Sequence, residues 1–462
     1  MSKNAPLVIK EFDFIKDLQI PIEFEGEIKV FYALVNATPQ DIDKIVKLIS
    51  LYFPEGSLTK QVYFFILHAV QIRPRLIELY ADIWKKLYQT TRCQINYQRY
   101  RNCNVGFFFY HLYQRGLIDK GSITSYFGCN FDSKKYLALH EVIPEIHPEF
   151  YEEYQKKMPE LMANKKKKLY QFIREDVYPG TLMSAIKFDR LEEFKKLIEG
   201  QGPVDDIWIE KFEFDIGPWD LDGDYFNVIS YSAYWGSINI FKYCLEHAEY
   251  IDHYAVEAAV AGGNPEIIDL VLQQPDRDLK TSLSYAIYYH RYDIIDRCLK
   301  EGFADTSDIC IACKGMCIPM VFFYLKRGQS PMKIWGNRCE FPLYMAARTG
   351  HISLLRLLLY YGADPNQRLL DGRTAMHRCA KFGHLEMIDL LKQAGADINA
   401  QTKKYKETPL HVAGEVKNQM TIGFLMKLGA NWLLENSDGL TFYENLQSEE
   451  CLPSEMIVVP AL

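Results

Sequence analysis

Apolar residues recur at helical spacing, in short runs, along almost the whole chain. Toward the N-terminus, Thr38-Pro39 opens a run in which Ile42, Ile45, Val46, Leu48 and Ile49 share one helical face. A second run covers Leu58 to Gln71, and Arg73-Pro74 breaks it and starts a third through Leu76, Leu79, Ile83 and Leu87. A tyrosine-rich apolar stretch follows at Phe107 to Tyr113. Further on the pattern repeats itself. Phe341-Pro-Leu-Tyr-Met-Ala-Ala-Arg-Thr-Gly-His-Ile352, Thr374-Ala-Met-His-Arg-Cys-Ala-Lys-Phe-Gly-His-Leu385 and Thr408-Pro-Leu-His-Val-Ala413 align without gaps. Each precedes an apolar helix and a Gly-Ala-Asp/Asn step, at Gly362, Gly395 and Gly429.

Each residue type has a physical role in such a unit. Thr374 and Thr408 cap a first helix, and Pro342 and Pro409 suit its first position, where a missing N–H is harmless. The Ala346-Ala347 pair lets helices approach closely. Gly350 and Gly383 end the helix in a left-handed conformation. Leu354, Leu355, Leu357 and Leu358 then supply the apolar face of a second helix. Pro342 to Ala375 spans 33 residues and Ala375 to Pro409 spans 34. The period resembles the T-P-L-H-x-A signature of the ankyrin repeat.

The interval of 16 residues from key small residue to closing glycine, seen from Ala346 to Gly362, also joins Ala286 to Gly302 and Ala312 to Gly328. Weaker units centre on Ala258, Ser232 and Ala185, which makes eight with those at Ala286, Ala312, Ala346, Cys379 and Ala413, the first five in chain order being degenerate. The predicted fold is all-α: an ankyrin solenoid with short β-hairpins, preceded by an α-helical N-terminal region. Its expected divisions are a helical region at 1–170, degenerate repeats at 171–334 and regular repeats with a cap at 335–446. An acidic insertion is expected at 200–225 and a loose tail at 447–462. The chain also resembles ankyrin-repeat proteins of large expanded families in single-celled eukaryotes, in which an "I-R-P…L-Y" segment precedes degenerate repeats. Here that segment is Ile72-Arg-Pro-Arg-Leu-Ile-Glu-Leu-Tyr80.

Composition narrows the function class. With 48% hydrophobic and 24% charged residues over 462 positions, the chain reads as globular. The longest apolar run, Cys317 to Leu325, falls far short of the ~18 residues a membrane helix needs. The N-terminus lacks a continuous apolar stretch, so no secretory signal is expected. Eleven cysteines, mostly without paired spacing, then read as free thiols in a reducing compartment: the cytoplasm, or the nucleus if Lys165 to Lys168 acts as an import patch. A formal charge of -7 argues against nucleic-acid binding. From Trp335 to Asn436, however, thirteen Lys/Arg against nine Asp/Glu leave +4, which favours an acidic partner there.

Candidate chemistry mostly dissolves on inspection. Cys310, Cys313 and Cys317 lack a fourth ligand at matching spacing, Cys339 being distant, and the repeat ruler makes the first two packing residues. Asp220-Leu-Asp222-Gly-Asp224 starts like a calcium loop, but Tyr225 and Tyr231 stand where Gly and Glu are required. His140-Glu141 begins a zinc motif that Pro144 ends. His377 and His411 occupy the ankyrin position that bridges neighbouring repeats. No reaction and no cofactor is implied.

What remains is a recognition surface. The positions after the small pair, on the concave face, carry Tyr234, Trp235, Tyr288, Tyr289, Arg348, Lys381 and Phe382, and the hairpin tips add Arg373 and Tyr405. Aromatic residues and arginine dominate interface energetics, although such rings also pack against neighbouring helices. The expected function is protein–protein binding, as an intracellular scaffold or adaptor. One alternative is a substrate adaptor, for example in ubiquitin transfer, docked through 1–170. The other is a metal-dependent enzyme using Cys93, Cys103 or His111.

Overall fold

The computed structural model describes residues 15, 18, 20–53, 57–73, 76–91, 108–109, 112–113, 115–118, 180–210, 225–251, 254–274, 278–336, 340–416 and 418–444. The chain forms two compact units, Met1–Thr306 and Ser307–Leu462. Cys93, Cys103, His111, His140-Glu141, Lys165 to Lys168, Asp220 to Asp224 and Cys339 lie outside the described residues, as does 447–462.

The first unit opens with α1 (Ile22–Val35), α2 (Ile42–Tyr52), α3 (Ser57–Ile72) and α4 (Ile77–Thr91). Thr38-Pro39 starts a single 3-10 turn that leads into α2, with Thr38 N–H donating to Asp41 at 3.3 Å. The α3 helix ends at Ile72, one residue before Arg73-Pro74, because proline disfavours helical geometry in the residue preceding it. These helices close on large aromatic rings: Tyr63 lies 4.4 Å from Trp84, and Trp84 lies 5.4 Å from Phe108. Tyr80 is fully buried, and its hydroxyl donates to the Leu34 carbonyl at 3.1 Å, so its polar tip is satisfied.

Four helix pairs follow in the same unit: α5 (Leu182–Lys187) with α6 (Leu191–Ile198), α7 (Val228–Trp235) with α8 (Ile238–His247), α9 (Tyr254–Gly262) with α10 (Pro265–Leu272), and α11 (Leu283–Tyr288) with α12 (Tyr292–Lys300). Between α6 and α7 a hairpin pairs β1 (Trp208–Glu210) antiparallel to β2 (Tyr225–Asn227), with Ile209 opposite Phe226. The second unit holds α13 (Ile309–Lys314) with α14 (Ile318–Lys326), α15 (Pro342–Thr349) with α16 (Ile352–Tyr360), α17 (Ala375–Phe382) with α18 (Leu385–Gln393), and α19 (Pro409–Glu415) with α20 (Gln419–Lys427). All eight key residues, from Ala185 to Ala413, fall in the first helix of a pair and are fully buried.

Small residues set the spacing of these first helices. A Cβ on Gly262 would lie 2.3 Å from the Tyr234 carbonyl oxygen and 2.5 Å from that of Ala233. The α7 and α9 backbones are therefore in direct contact. The left-handed residue that ends the first helix is glycine at Gly236, Gly350 and Gly383, but Asp189, His290 and Met316 adopt the same conformation at φ of 52 to 54°. Those three weaken the written signature without changing the turn. Asp189 also accepts from the Asn239 and Ile240 N–H groups at the start of α8, at 3.2 and 3.0 Å.

The repeat histidines do bridge neighbours. His377 Nδ1 accepts the Thr374 N–H at 3.2 Å, which leaves its proton on Nε2 to donate to the Glu407 carbonyl of the next hairpin at 3.1 Å. His411 repeats this with Thr408 and the Leu440 carbonyl, at 3.3 Å in each bond. Thr441 then stands 33 residues after Thr408, and its N–H donates to Glu444 at 2.8 Å.

Two measurements check this packing. Gly262→Ala lowers the urea unfolding free energy by about 1–3 kcal/mol, because backbone atoms have to move; an unchanged midpoint refutes the close contact. Burial pushes the His377 pKa down from 6.5 to about 4. The unfolded chain therefore binds the extra proton first, and stability falls as pH drops from about 6.5 to about 4, by up to about 3 kcal/mol. Urea melts across that window show the loss, and His377→Gln flattens it.

Candidate interaction surface

The regular repeats present a ledge of linked hairpins. Within the hairpins, Leu369 N–H donates to the Arg373 carbonyl at 2.8 Å and Thr402 N–H to that of Glu407 at 3.0 Å. Between hairpins, Lys403 N–H donates to the Asp371 carbonyl and Ser437 N–H to that of Tyr405, each at 2.8 Å. Side chains add to the tie: Gln367 reaches the Met332 carbonyl at 3.0 Å and Arg368 that of Gln401 at 2.8 Å. Backbone bonding of this kind holds the tips in register instead of leaving them as independent loops.

The ledge carries exposed apolar residues on successive hairpins: Ile334 at 57%, Leu370 at 60% and Tyr405 at 49% exposure. Lys403, Lys404 and Lys406 are exposed around Tyr405. Lys404 Nζ sits 4.7 Å from the Tyr405 ring centre and donates to its hydroxyl at 2.9 Å. Arg373 lies near Asp371, with Nε 3.7 Å from the carboxylate. On α17, the Arg378 guanidinium is held between the rings of Tyr344 and Phe382, at 5.3 and 4.6 Å. Burial lowers the Arg378 pKa, with Arg348 and Arg373 adding to that direction and Tyr344 and Glu340 opposing it. Arg348 is 3.8 Å from Glu340, and Lys381 is half-buried. Glu407 has a raised pKa, first through burial and then through Glu415.

Sequence reasoning missed Arg378. It occupies the variable x of T-P-L-H-x-A, which identifies an inner-face position but does not show that two rings flank it.

The aromatic stripe of the first unit needs correction. Tyr234, Trp235 and Tyr289 are buried within the chain, Tyr288 is half-buried, and Phe382 of the second unit is also buried. The cause lies in α9, whose sequence Tyr-Ala-Val-Glu-Ala-Ala-Val-Ala-Gly262 offers little bulk. Tyr234 and Tyr289, from the helix pairs on either side of it, meet with ring centres 6.3 Å apart. Tyr234 also packs on Trp235 at 5.5 Å, and Lys187 covers the Trp235 ring at 4.6 Å. These rings are packing residues; of the candidates Tyr405 is exposed, and Arg348, Arg373 and Lys381 are half-buried.

Cys310, Cys313 and Cys317 are buried. Burial pushes the Cys310 thiol up to about 12 and Cys313 upward as well, so both stay protonated, and Cys310 Sγ donates to the Lys333 carbonyl at 3.4 Å. Among the described residues, no group of three or more His, Cys, Asp or Glu is placed to hold a metal ion. No described helix is long and apolar enough to cross a membrane.

Comparison with known proteins agrees with this geometry. Residues 343–436 match the family model for ankyrin repeats, in three copies. These are ankyrin repeats. Residues 247–324 match a domain of unknown function, DUF3447. A 110-residue stretch is 26% identical to palmitoyltransferase ZDHHC13 of Mus musculus, covering 23% of this chain and 17% of that protein. The chain thus spans well under a fifth of that relative's length in the match, too little to carry an activity across. Ankyrin repeats are an interaction fold, and a solenoid of them offers an extended recognition surface.

The burial yields a direct check. Trp235→Ala or Tyr289→Ala lowers stability by about 3 kcal/mol, whereas Tyr405→Ala stays within about 0.5 kcal/mol of the parent in the same urea melts.

Proposed function

We propose that the protein is an adaptor or scaffold that binds an acidic segment of a partner protein along the hairpin ledge of its regular ankyrin repeats. Exposed Leu370 and Tyr405, bordered by Lys403, Lys404, Lys406 and Arg373, carry this reading. Apolar residues at the centre with cations around them supply both burial and steering for such a segment. Arg348 and Lys381, on the inner helices, extend the cationic surface toward the concave side. Buried, protonated thiols at Cys244, Cys298 and Cys310 support a reducing compartment such as the cytoplasm.

The test compares the full chain with a Lys403→Glu/Lys404→Glu/Lys406→Glu variant and with Tyr405→Ala, using crosslinked capture from the native cell and quantitative mass spectrometry. The expected result is a partner lost from both variants and released by raised salt, with melting temperatures shifted by no more than about 2 °C. A partner retained by both variants refutes the ledge and moves recognition to the N-terminal helices, where an adaptor for an enzyme complex would dock.

A further inference from the structure

In the first unit, backbone carbonyls from the ends of two inner helices converge. The α9 helix ends at Gly262 and α11 at Tyr288, and the last carbonyls of a helix lack partners within it. Arg291, which follows α11, covers part of this end: its Nε donates to the Val260 carbonyl at 3.1 Å and its Nη2 to Gly262 at 2.6 Å and Ala261 at 3.3 Å. Gly263 permits the approach. It has φ of 74°, and a Cβ there would lie 1.5 Å from the Arg291 guanidinium. That tie joins consecutive repeats and belongs to the solenoid.

A second guanidinium arrives from outside the repeats. Arg73, just beyond α3, is almost fully buried; its Nη1 donates to the Ala261 carbonyl at 2.8 Å and its Nη2 to the Tyr289 carbonyl at 3.2 Å. One planar fork thus bridges the ends of two successive inner helices, across 188 and 216 positions of sequence. Both ends carry the negative pole of a helix dipole, which favours cations. The unit also buries two carboxylates, Glu27 on α1 and Glu257 on α9. Around the fork the N-terminal helices seat on the same turn. Phe31 of α1 packs on His290 at 4.5 Å and on His68 of α3 at 5.4 Å, and Tyr32 stacks on Tyr292 at 5.4 Å.

We infer that the α9–α11 edge of the repeat array is a guanidinium-binding site, filled in this chain by its own Arg73, which clamps the N-terminal helices onto the repeats. Lysine reproduces the clamp only in part, because its ammonium lacks the planar fork whose fixed donor directions match the two carbonyls. The N-terminal helices are thereby a resident occupant of this edge, which leaves recognition of other proteins to surfaces elsewhere. The inference stands independently of the ledge proposed above.

Hydrogen exchange on the full chain tests it, read by mass spectrometry for Arg73→Ala, Arg73→Lys and the parent protein. In Arg73→Ala, peptides covering α1, α3 and the α9 and α11 ends are expected to exchange roughly 100-fold faster, with those of α15, α17 and α19 unchanged. Arg73→Lys should lie between, at about 10-fold. Ethylguanidinium in the millimolar range should restore protection to Arg73→Ala, while ethylammonium at equal concentration should not. Parent-like exchange in Arg73→Ala overturns the clamp. So does an equal rise in both units, or parent-like exchange in Arg73→Lys, which remains readable if Arg73→Ala fails to fold. Rescue by both cations, or by neither, overturns the guanidinium site.

Discussion

In the first unit, carbonyls at the ends of the inner helices α5, α7 and α9 are met by donors from the next helix pair. Ser237 donates to the Ile186 carbonyl, and Asn264 to that of Gly236 at 3.3 Å. Arg291 does so for the end of α9, and the rings or amides of His384 and Asn418 lie over Gly350 and Gly383. The histidines at 377 and 411 do the same for the hairpins. Buried backbone groups without partners are costly, so a repeat is stable only beside its neighbour. In the first unit each repeat thus depends on its neighbour, and Ser237, Asn264 and Arg291 can serve at one position because each need only place a donor over a carbonyl.

The same need gives the N-terminal helices their place. Where Arg291 already serves the end of α9, the Ala261 carbonyl still has a free lone pair, and Arg73 takes it together with the carbonyl of Tyr289. A helix end can accept two guanidiniums because their charge is met by aligned peptide dipoles. The aromatic packing of Phe31 and Tyr32 against His290 and Tyr292 then buries area around the polar contact. Polar bonds fix the orientation, and apolar burial supplies most of the attraction.

In the second unit, the hairpins are fastened to one another by backbone bonds and by Gln367 and Arg368, so the side chains of Leu370 and Tyr405 are not needed to hold them together. Leu370 and Tyr405 can therefore be apolar and exposed without loss of fold, and Lys403, Lys404 and Lys406 can gather positive charge. Exposed apolar residues framed by one sign of charge are common where a protein meets a partner. Arg378, by contrast, is immobilised between Tyr344 and Phe382 and acts as part of the wall behind that surface.

The sequence by itself determined the repeat, because its period is written in residues that backbone geometry demands: threonine and proline at helix starts, small residues at helix contacts, glycine at left-handed turns. Among the described residues, the buried small residue keeps its place in the first helix even where Asp189, His290 and Met316 stand at the turn instead of glycine. Tertiary structure alone decided which faces are free. Tyr234 and Tyr289 read as surface along their own helices, yet they meet over a helix of small residues between them. Nothing local to Arg73 announces that its guanidinium ends on carbonyls some two hundred positions away. Helical periodicity reports what one element needs from its neighbours; which neighbour arrives depends on contacts far apart in the chain, and those exist only after folding.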